Sequence, residues 1–233
     1  MKILDLAHLA YRDAWQEQER VHAEVLGGGE EAILLVEHPP VITMGRRGET
    51  LGVTNFRANR QALEARGVEF VQTDRGGDIT FHGPGQLVAY PIVRLIDHKL
   101  SVGAYVKALQ RAAIATVKEF GVDAFTDDAG IGVWTALHPL GDEESGAEAT
   151  GLVAKICAIG VRVKRGVTLH GLALNVTTDL SYYDLIVPCG IADKPVTSME
   201  QLLGDRCPAT DVVKRRLVVN LRDVITSPAT PNL

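Results

Sequence analysis

The chain has 233 residues and a mass of 25.1 kDa, with 46% hydrophobic and 23% charged residues. Those fractions are ordinary for a globular protein and exclude a disordered chain, a collagen-like repeat and a coiled coil. Lys and Arg total 24 against 29 Asp and Glu, a net charge of -5, which excludes bulk nucleic-acid binding because phosphate neutralisation needs an excess of cations.

Residues 2–5 read as a short strand. A helix follows over 8–25, with Leu9, Trp15, Val21 and Val25 on its buried side, and Gly27, Gly28 and Gly29 stop it. AILLVE (32–37) is an apolar run suited to a buried strand, ended by His38-Pro39-Pro40. Residues 44–56 read as a loop, 56–66 as a short helix closed by Gly67, and VEFVQ (68–72) as a strand. The segment 75–85 is turn-rich, and LVAYPIVRL (87–95) is a strand. Ser101 caps a helix over 102–119, where Val102, Tyr105, Val106, Leu109, Ala113 and Val117 hold the spacing of one buried face. Short β-type runs at 131–135, 152–157, 159–164 and 168–176 have hairpin spacing. A last helix runs from Thr210 to about Ile225 and buries Val213, Leu217, Leu221 and Val224. Strands and helices do not alternate regularly, so the expected class is α/β of the α+β type, a mixed β-sheet flanked by helices.

Cys157, Cys189 and Cys207 are too few and too scattered for a disulfide framework, which points to a reducing compartment. No CxxC, HxxxH or HExxH spacing occurs, so no metal site is expected. Asp5 and His8 interrupt the N-terminal apolar run, and no run approaches membrane-spanning length, so the cytoplasm is the default location.

Three segments carry chemistry. In RGGDITFHGPGQ (75–86), the glycines permit close approach of a ligand to the backbone, and Arg75 and His82 supply polar groups. Two plain turns around a short strand explain the same pattern. In the second segment, Lys155 lies within LVAKICAI (152–159), otherwise free of charge. Such a lysine is either an edge-strand gatekeeper or a buried amine whose lowered pKa makes it a base near neutral pH. The third is Ile186-Val187-Pro188-Cys189-Gly190, which sets a thiol on a turn. Cys189 has the best context of the three cysteines for access, and its candidate partners are Lys155, His82 and His170. Cys157 alternates with Lys155 and so is expected to share its face.

RGGDITFHGPGQLVAYPIV, AKICAIGVRV, GVTLHGLALNVTTDLSYYDLIVPCGI and the earlier EHPPVITMG together resemble the lipoyl(octanoyl) transferases, in the same order over about residues 30–204. The resemblance implies one catalytic domain over 1–233, folded like the biotin and lipoate protein ligase catalytic domains. It implies transfer of an octanoyl group from octanoyl-acyl carrier protein to a lysine of lipoyl domains, those of 2-oxoacid dehydrogenase complexes and of the glycine cleavage H protein. No cofactor is implied, and a monomer is the default. The implied catalytic pair falls on Cys189 and Lys155. The implied substrate-binding stretches fall on Arg75, Gly76, Gly77, Asp78, Ile79, Thr80, Phe81 and His82, on Ala158, Ile159 and Gly160, and on Gly171, Leu172 and Ala173. His38, Tyr90 and His170 are implied as further lining of the acyl site.

The pattern departs from the family at about 137–150, an acidic insertion holding Asp142, Glu143, Glu144 and Glu148 and no Lys or Arg. The remainder has 25 acidic against 24 basic residues. Arg46, Arg47, Arg162, Lys164 and Arg165 are therefore candidates for docking acidic carrier proteins. Three rival readings remain: an ATP-dependent lipoate ligase on the same fold, a thioesterase using the same Cys/Lys pair with water, and a non-catalytic acyl-carrier binding module.

Overall fold

A computed structural model describes residues 1–51, 60–128, 130–137, 152–186 and 195–227. Cys189 and the acidic insertion after residue 137 lie outside the described residues. The chain order is β1 (Lys2–His8), α1 (Tyr11–Leu26), β2 (Ala32–Glu37), β3 (Val41–Met44), α2 (Arg46–Leu51), α3 (Arg60–Ala65), β4 (Glu69–Gln72), β5 (Ile79–His82) and β6 (Gln86–Ile92). There follow α4 (Val102–Lys118), β7 (Ala124–Asp127), β8 (Gly130–Ala136), β9 (Val153–Lys164), β10 (Val167–Asn175), a 3-10 helix (Leu180–Leu185), α5 (Met199–Leu203) and α6 (Thr210–Thr226).

Seven strands form one sheet in the order β1-β2-β6-β10-β9-β8-β7, with β1 and β2 parallel and every other pair antiparallel. This is the expected mixed sheet. α4 and α6 cover one face, where Leu109, Ala113, Val117, Leu217 and Leu221 close over Leu87, Ile156, Leu172 and Leu174. α1 covers the other, with Ala14, Val21 and Val25 against Leu34, Val88, Leu169 and Ala173. Each buried Leu, Ile or Val stabilises the fold by about 1.5–3 kcal/mol before entropy is counted. The Ser101 side chain accepts from Ala104 N–H at 3.1 Å and so caps α4 as expected, worth about 1 kcal/mol.

The structure adds a second, three-stranded sheet in the order β4-β3-β5. It also corrects several expectations. The runs at 152–157 and 159–164 are one strand, because Ala158 pairs with both Gly132 and Ala173 and carries the ladder across. Within the expected loop 44–56, Arg46–Leu51 form α2, and at its start the N–H groups of Gly45, Arg46 and Arg47 donate to the carbonyls of Asp78, Arg75 and Gly77. Val102 is 49% exposed because it sits at the first position of α4, beyond the edge of the core. On α6 it is Ile225 rather than Val224 that is fully buried.

Candidate active site

The small sheet leans onto the α1 face of the large one, joined to it where Gly76 N–H donates to the Val161 carbonyl at 2.9 Å. Between them lies a pocket. Its walls are Tyr11 of α1, Arg75, Gly77 and Asp78 of the glycine-rich turn, Ile79, Thr80 and His82 of β5, and Val88 and Tyr90 of β6. Ala158, Ile159 and Gly160 of β9 and His170, Gly171, Leu172 and Ala173 of β10 complete the floor, and Lys155, Ile131, Tyr183 and Val196 close one end. Three stretches far apart in sequence are thus brought together. Gly76, Phe81 and His38 stand behind this wall instead of in it: Phe81 stacks on Tyr182 at 4.7 Å, and His38 is held behind Tyr90.

Lys155 is an interior residue of the sheet, 7% exposed. The edge-strand gatekeeper reading therefore fails, and the side chain is buried. Its orientation comes from a β-bulge. Val133 pairs with Cys157 but Trp134 pairs with Lys155, so Ile156 is an extra residue and the alternation of β9 is broken there. Ile156 and Cys157 both face the helical core, and Lys155 turns to the pocket. The expectation that Cys157 shares the face of Lys155 is corrected for this reason. Burial pushes the Cys157 thiol up to about 12.

The Lys155 side chain passes Gly132, whose φ of +152° and missing Cβ leave room for the lysine Cε, 3.1 Å from where that Cβ would stand. Its ammonium lies 4.6 Å from the centre of the Trp134 ring and donates to the Ile131 carbonyl at 3.4 Å. The backbone of Lys155 is clasped by the chain that returns after residue 194: its N–H donates to the Pro195 carbonyl at 2.9 Å, and its carbonyl accepts from Thr197 N–H at 3.0 Å.

A chain of fixed amides links this end to His82. Asn175 Nδ2 donates to the Thr197 carbonyl at 3.0 Å, Gln86 Nε2 to Asn175 Oδ1 at 2.9 Å, and His82 Nδ1 to Gln86 Oε1 at 2.7 Å. His82 therefore carries its proton on Nδ1 and a lone pair on Nε2. Burial, together with His38 and Arg75, holds its pKa well below the usual value. His38 Nδ1 donates to the Leu9 carbonyl and its Nε2 accepts from Tyr90 Oη, both at 2.8 Å, and burial lowers its pKa to about 4. Tyr11 stacks on His82 at 5.7 Å.

His170 sits in β10 with a left-handed φ of 59°, which turns its ring toward Tyr90 and Trp15. Such a conformation costs about 1–3 kcal/mol and needs surrounding support. The support is visible: His170 N–H donates to Gln18 Oε1 and its Nε2 donates to Asp74 Oδ1, each at 2.8 Å, while Asp74 also pairs with Arg162. Burial lowers the His170 pKa to about 3. Next to it, Gly171 admits no side chain, since a Cβ would stand 2.1 Å from the Ala89 carbonyl oxygen.

Arg75 is 7% exposed and donates to the Thr43 carbonyl and hydroxyl at 2.7 and 2.9 Å. It is a buried strut beside the pocket. Of the docking candidates, Arg46 and Arg47 are exposed on α2 and Arg165 is exposed in the β9–β10 turn, while Arg162 pairs with Asp74 and Lys164 with Glu19. Sequence reasoning missed Tyr11, Asp74, Trp134 and Tyr183. Asp74 adjoins the RGGD segment and Tyr183 lies in the SYYD run, so position beside a matched block was their only signal. Among the described residues no group of three His, Cys, Asp or Glu side chains is placed to hold a metal ion.

The Lipoyl protein ligase A/B catalytic domain family matches residues 10–221 of this chain. An octanoyltransferase of Koribacter versatilis (strain Ellin345) is 44% identical over 216 residues, covering 91% of this chain and 80% of that protein. Among solved structures, lipoate-protein ligase A bound with ATP superimposes with a TM-score of 0.70 at 14% identity, over 95% of this chain and 84% of that one. Biotin protein ligase from Aquifex aeolicus, in complex with biotin and ATP, gives 0.53 at 12%, over 97% and 72%. At those identities the likeness is one of fold, and it is the fold expected from the sequence.

Proposed function

Because the chain belongs to the lipoyl protein ligase A/B catalytic-domain family, among its octanoyltransferases, we propose that it moves an octanoyl group from acyl carrier protein to a lysine of lipoyl domains through Cys189 and Lys155. The observation that carries the assignment of Lys155 is its setting. It is a buried amine turned into the pocket by a bulge, and its backbone is clasped by Pro195 and Thr197. Pro195 follows Cys189 by six residues, and Ile186, packed beside the pocket residue Tyr183, precedes Cys189 by three.

The chemistry follows from the residue types. Lys155 takes the Cys189 proton, and the sulfur attacks the octanoyl carbonyl carbon. The bond to the carrier sulfur breaks, and Lys155 returns the proton to that sulfur. The octanoyl group is now a thioester on Cys189. A lysine amine of the lipoyl domain attacks it, the bond to Cys189 breaks and an amide forms. Lys155 removes the surplus proton from the amine and returns it to Cys189. Thioester exchange is nearly balanced and amide formation is downhill, so neither step calls for ATP. The backbone at Gly77 and at Gly171 lines the pocket and offers candidate donors to the oxyanion.

His82, neutral with its Nε2 lone pair available, and Tyr90 belong to the pocket lining in this reading. The acceptors are the lipoyl domains of 2-oxoacid dehydrogenase complexes and the glycine cleavage H protein, and the reading puts the enzyme with them in the cytoplasm. The test is transfer from octanoyl-carrier to a lipoyl domain without ATP. Octanoyl-lysine in the acceptor is the expected product. Product only after ATP is added would favour a ligase, and free octanoate released without acceptor would favour a thioesterase.

A further inference from the structure

Three side chains form a hydrogen-bonded line whose polarity is fixed by backbone. The Thr197 carbonyl only accepts, so Asn175 turns its Nδ2 to it at 3.0 Å. Asn175 Oδ1 is left to face Gln86, whose Nε2 donates to it at 2.9 Å and to the Phe81 carbonyl at 3.2 Å. Gln86 Oε1 is left to face His82 and accepts from Nδ1 at 2.7 Å. Two backbone carbonyls thus dictate the Nδ1–H tautomer of His82. Gln86 is fully buried and Asn175 is 3% exposed, which strengthens each link.

The far nitrogen of the ring is open. His82 Nε2 has no hydrogen-bond partner among the described residues, yet it is not sealed off, and His82 lines the pocket. Burial, with His38 and Arg75, holds its pKa well below 6.5, so the lone pair persists. The same line ties down both flanks of the stretch that bears Cys189. Tyr183 Oη, six residues before Cys189, accepts from Gln86 Nε2 at 3.2 Å. Thr197, eight residues after it, holds Asn175 and donates its N–H to the Lys155 carbonyl. His82, Tyr183 and Lys155 all face one pocket.

A lone pair there selects among the reacting groups. An octanoyl chain has no donor, and a thioester carbonyl only accepts. A lysine amine has two N–H groups and one lone pair.

We propose that His82 Nε2 accepts one N–H of the acceptor lysine amine while the acyl-enzyme is discharged, and that Gln86 and Asn175 are positioning residues that keep it an acceptor. This role rests on the reading of Cys189 as the acylated residue. With one N–H on His82 and the other toward Lys155, the amine lone pair is left for the thioester carbon. The N–C bond forms, the bond to the Cys189 sulfur breaks, and Lys155 carries the proton to that sulfur. His82 takes none. The opposite tautomer would donate to the amine lone pair and block the attack, which is why the polarity of the line matters.

Two measurements test this. Nitrogen-15 spectra of histidine-labelled wild type, recorded without substrate, are expected to show His82 protonated on Nδ1 alone, and Gln86→Met to relax it toward a mixture of tautomers. An Nε2–H tautomer in the wild type overturns the role without any variant. Loading of the enzyme by octanoyl-carrier and discharge by a lipoyl domain are then timed separately. His82→Leu is expected to slow discharge roughly tenfold more than loading. His82→Gln, whose side-chain carbonyl reaches the place of Nε2, is expected to recover part of that loss. A merely structural role lowers both steps together, and that result, or no change in either, overturns the assignment. Absence of any wild-type adduct overturns the Cys189 reading itself, and is told apart because the histidine spectra need no acyl group.

Discussion

The Lys155 ammonium lies 4.6 Å from the centre of the Trp134 ring, in the interior of the sheet, with its stem running through the space left by Gly132. A buried amine so held can serve as a proton shuttle, and arginine cannot take its place, because a guanidinium stays charged at any working pH. Lys155→Arg is therefore expected to lose transfer by about 100-fold or more while keeping the charge. The measurement is the single-turnover rate from octanoyl-carrier to a lipoyl domain. Near-full transfer by the variant would remove Lys155 from acid–base chemistry.

The buried histidines make stability depend on pH. Burial lowers the pKa of His38 to about 4 and of His170 to about 3, and holds that of His82 well below the ordinary 6.5. Unfolded, all three bind protons near pH 6.5, so below that pH the unfolded chain holds more protons than the folded one. The stability these groups contribute is full above about pH 6.5 and is lost as pH falls toward about 4. Denaturant midpoints at pH 7 and pH 5 check this. A marked fall at pH 5 is expected, with a proton uptake on unfolding that approaches three. Equal midpoints would contradict the buried neutral assignment.

Gly171→Ala is expected to destabilise the chain by about 3 kcal/mol or more, because the new Cβ would stand 2.1 Å from a carbonyl oxygen inside the sheet. The clash is with backbone, which cannot rotate away. Thermal unfolding measures it, and a melting temperature within a degree or two of wild type would show that β6 and β10 can part at no cost.

Cys157 is the cysteine that sequence alternation pairs with Lys155, and the bulge at Ile156 parts them. Fully buried, with its pKa pushed up to about 12, it should resist alkylation in the native protein at pH 8 and react only on unfolding. Peptide mapping after iodoacetamide treatment reads this directly. Rapid native labelling of Cys157 would contradict the packing of β9.

Much of the fold was legible because it rests on local patterns. AILLVE, LVAYPIV and the α4 and α6 spacings each announce an element from their own residues. The three-stranded sheet was not legible, since β3 is the short run VITM and depends on partners at Glu69–Gln72 and Ile79–His82 for its ladder. The candidate site divides in the same way. The glycine-rich turn, Lys155 and His170 could be named from the sequence. Whether Lys155 was buried, and which face it shared, turned on one extra residue in β9, and no periodicity argument carries through a bulge. Trp15 reads as part of the buried side of α1, and the place of Tyr11 in the pocket wall appears only once α1 lies on the sheet.

The proposed passage of the octanoyl group through Cys189 is tested most directly by the mass of the protein and its peptides after incubation with octanoyl-carrier and no acceptor. One octanoyl adduct is expected, located on the peptide bearing Cys189, labile to hydroxylamine and discharged by a lipoyl domain. An adduct on Cys157 or Cys207, or normal transfer with no adduct on any cysteine and full activity in Cys189→Ala, would contradict it.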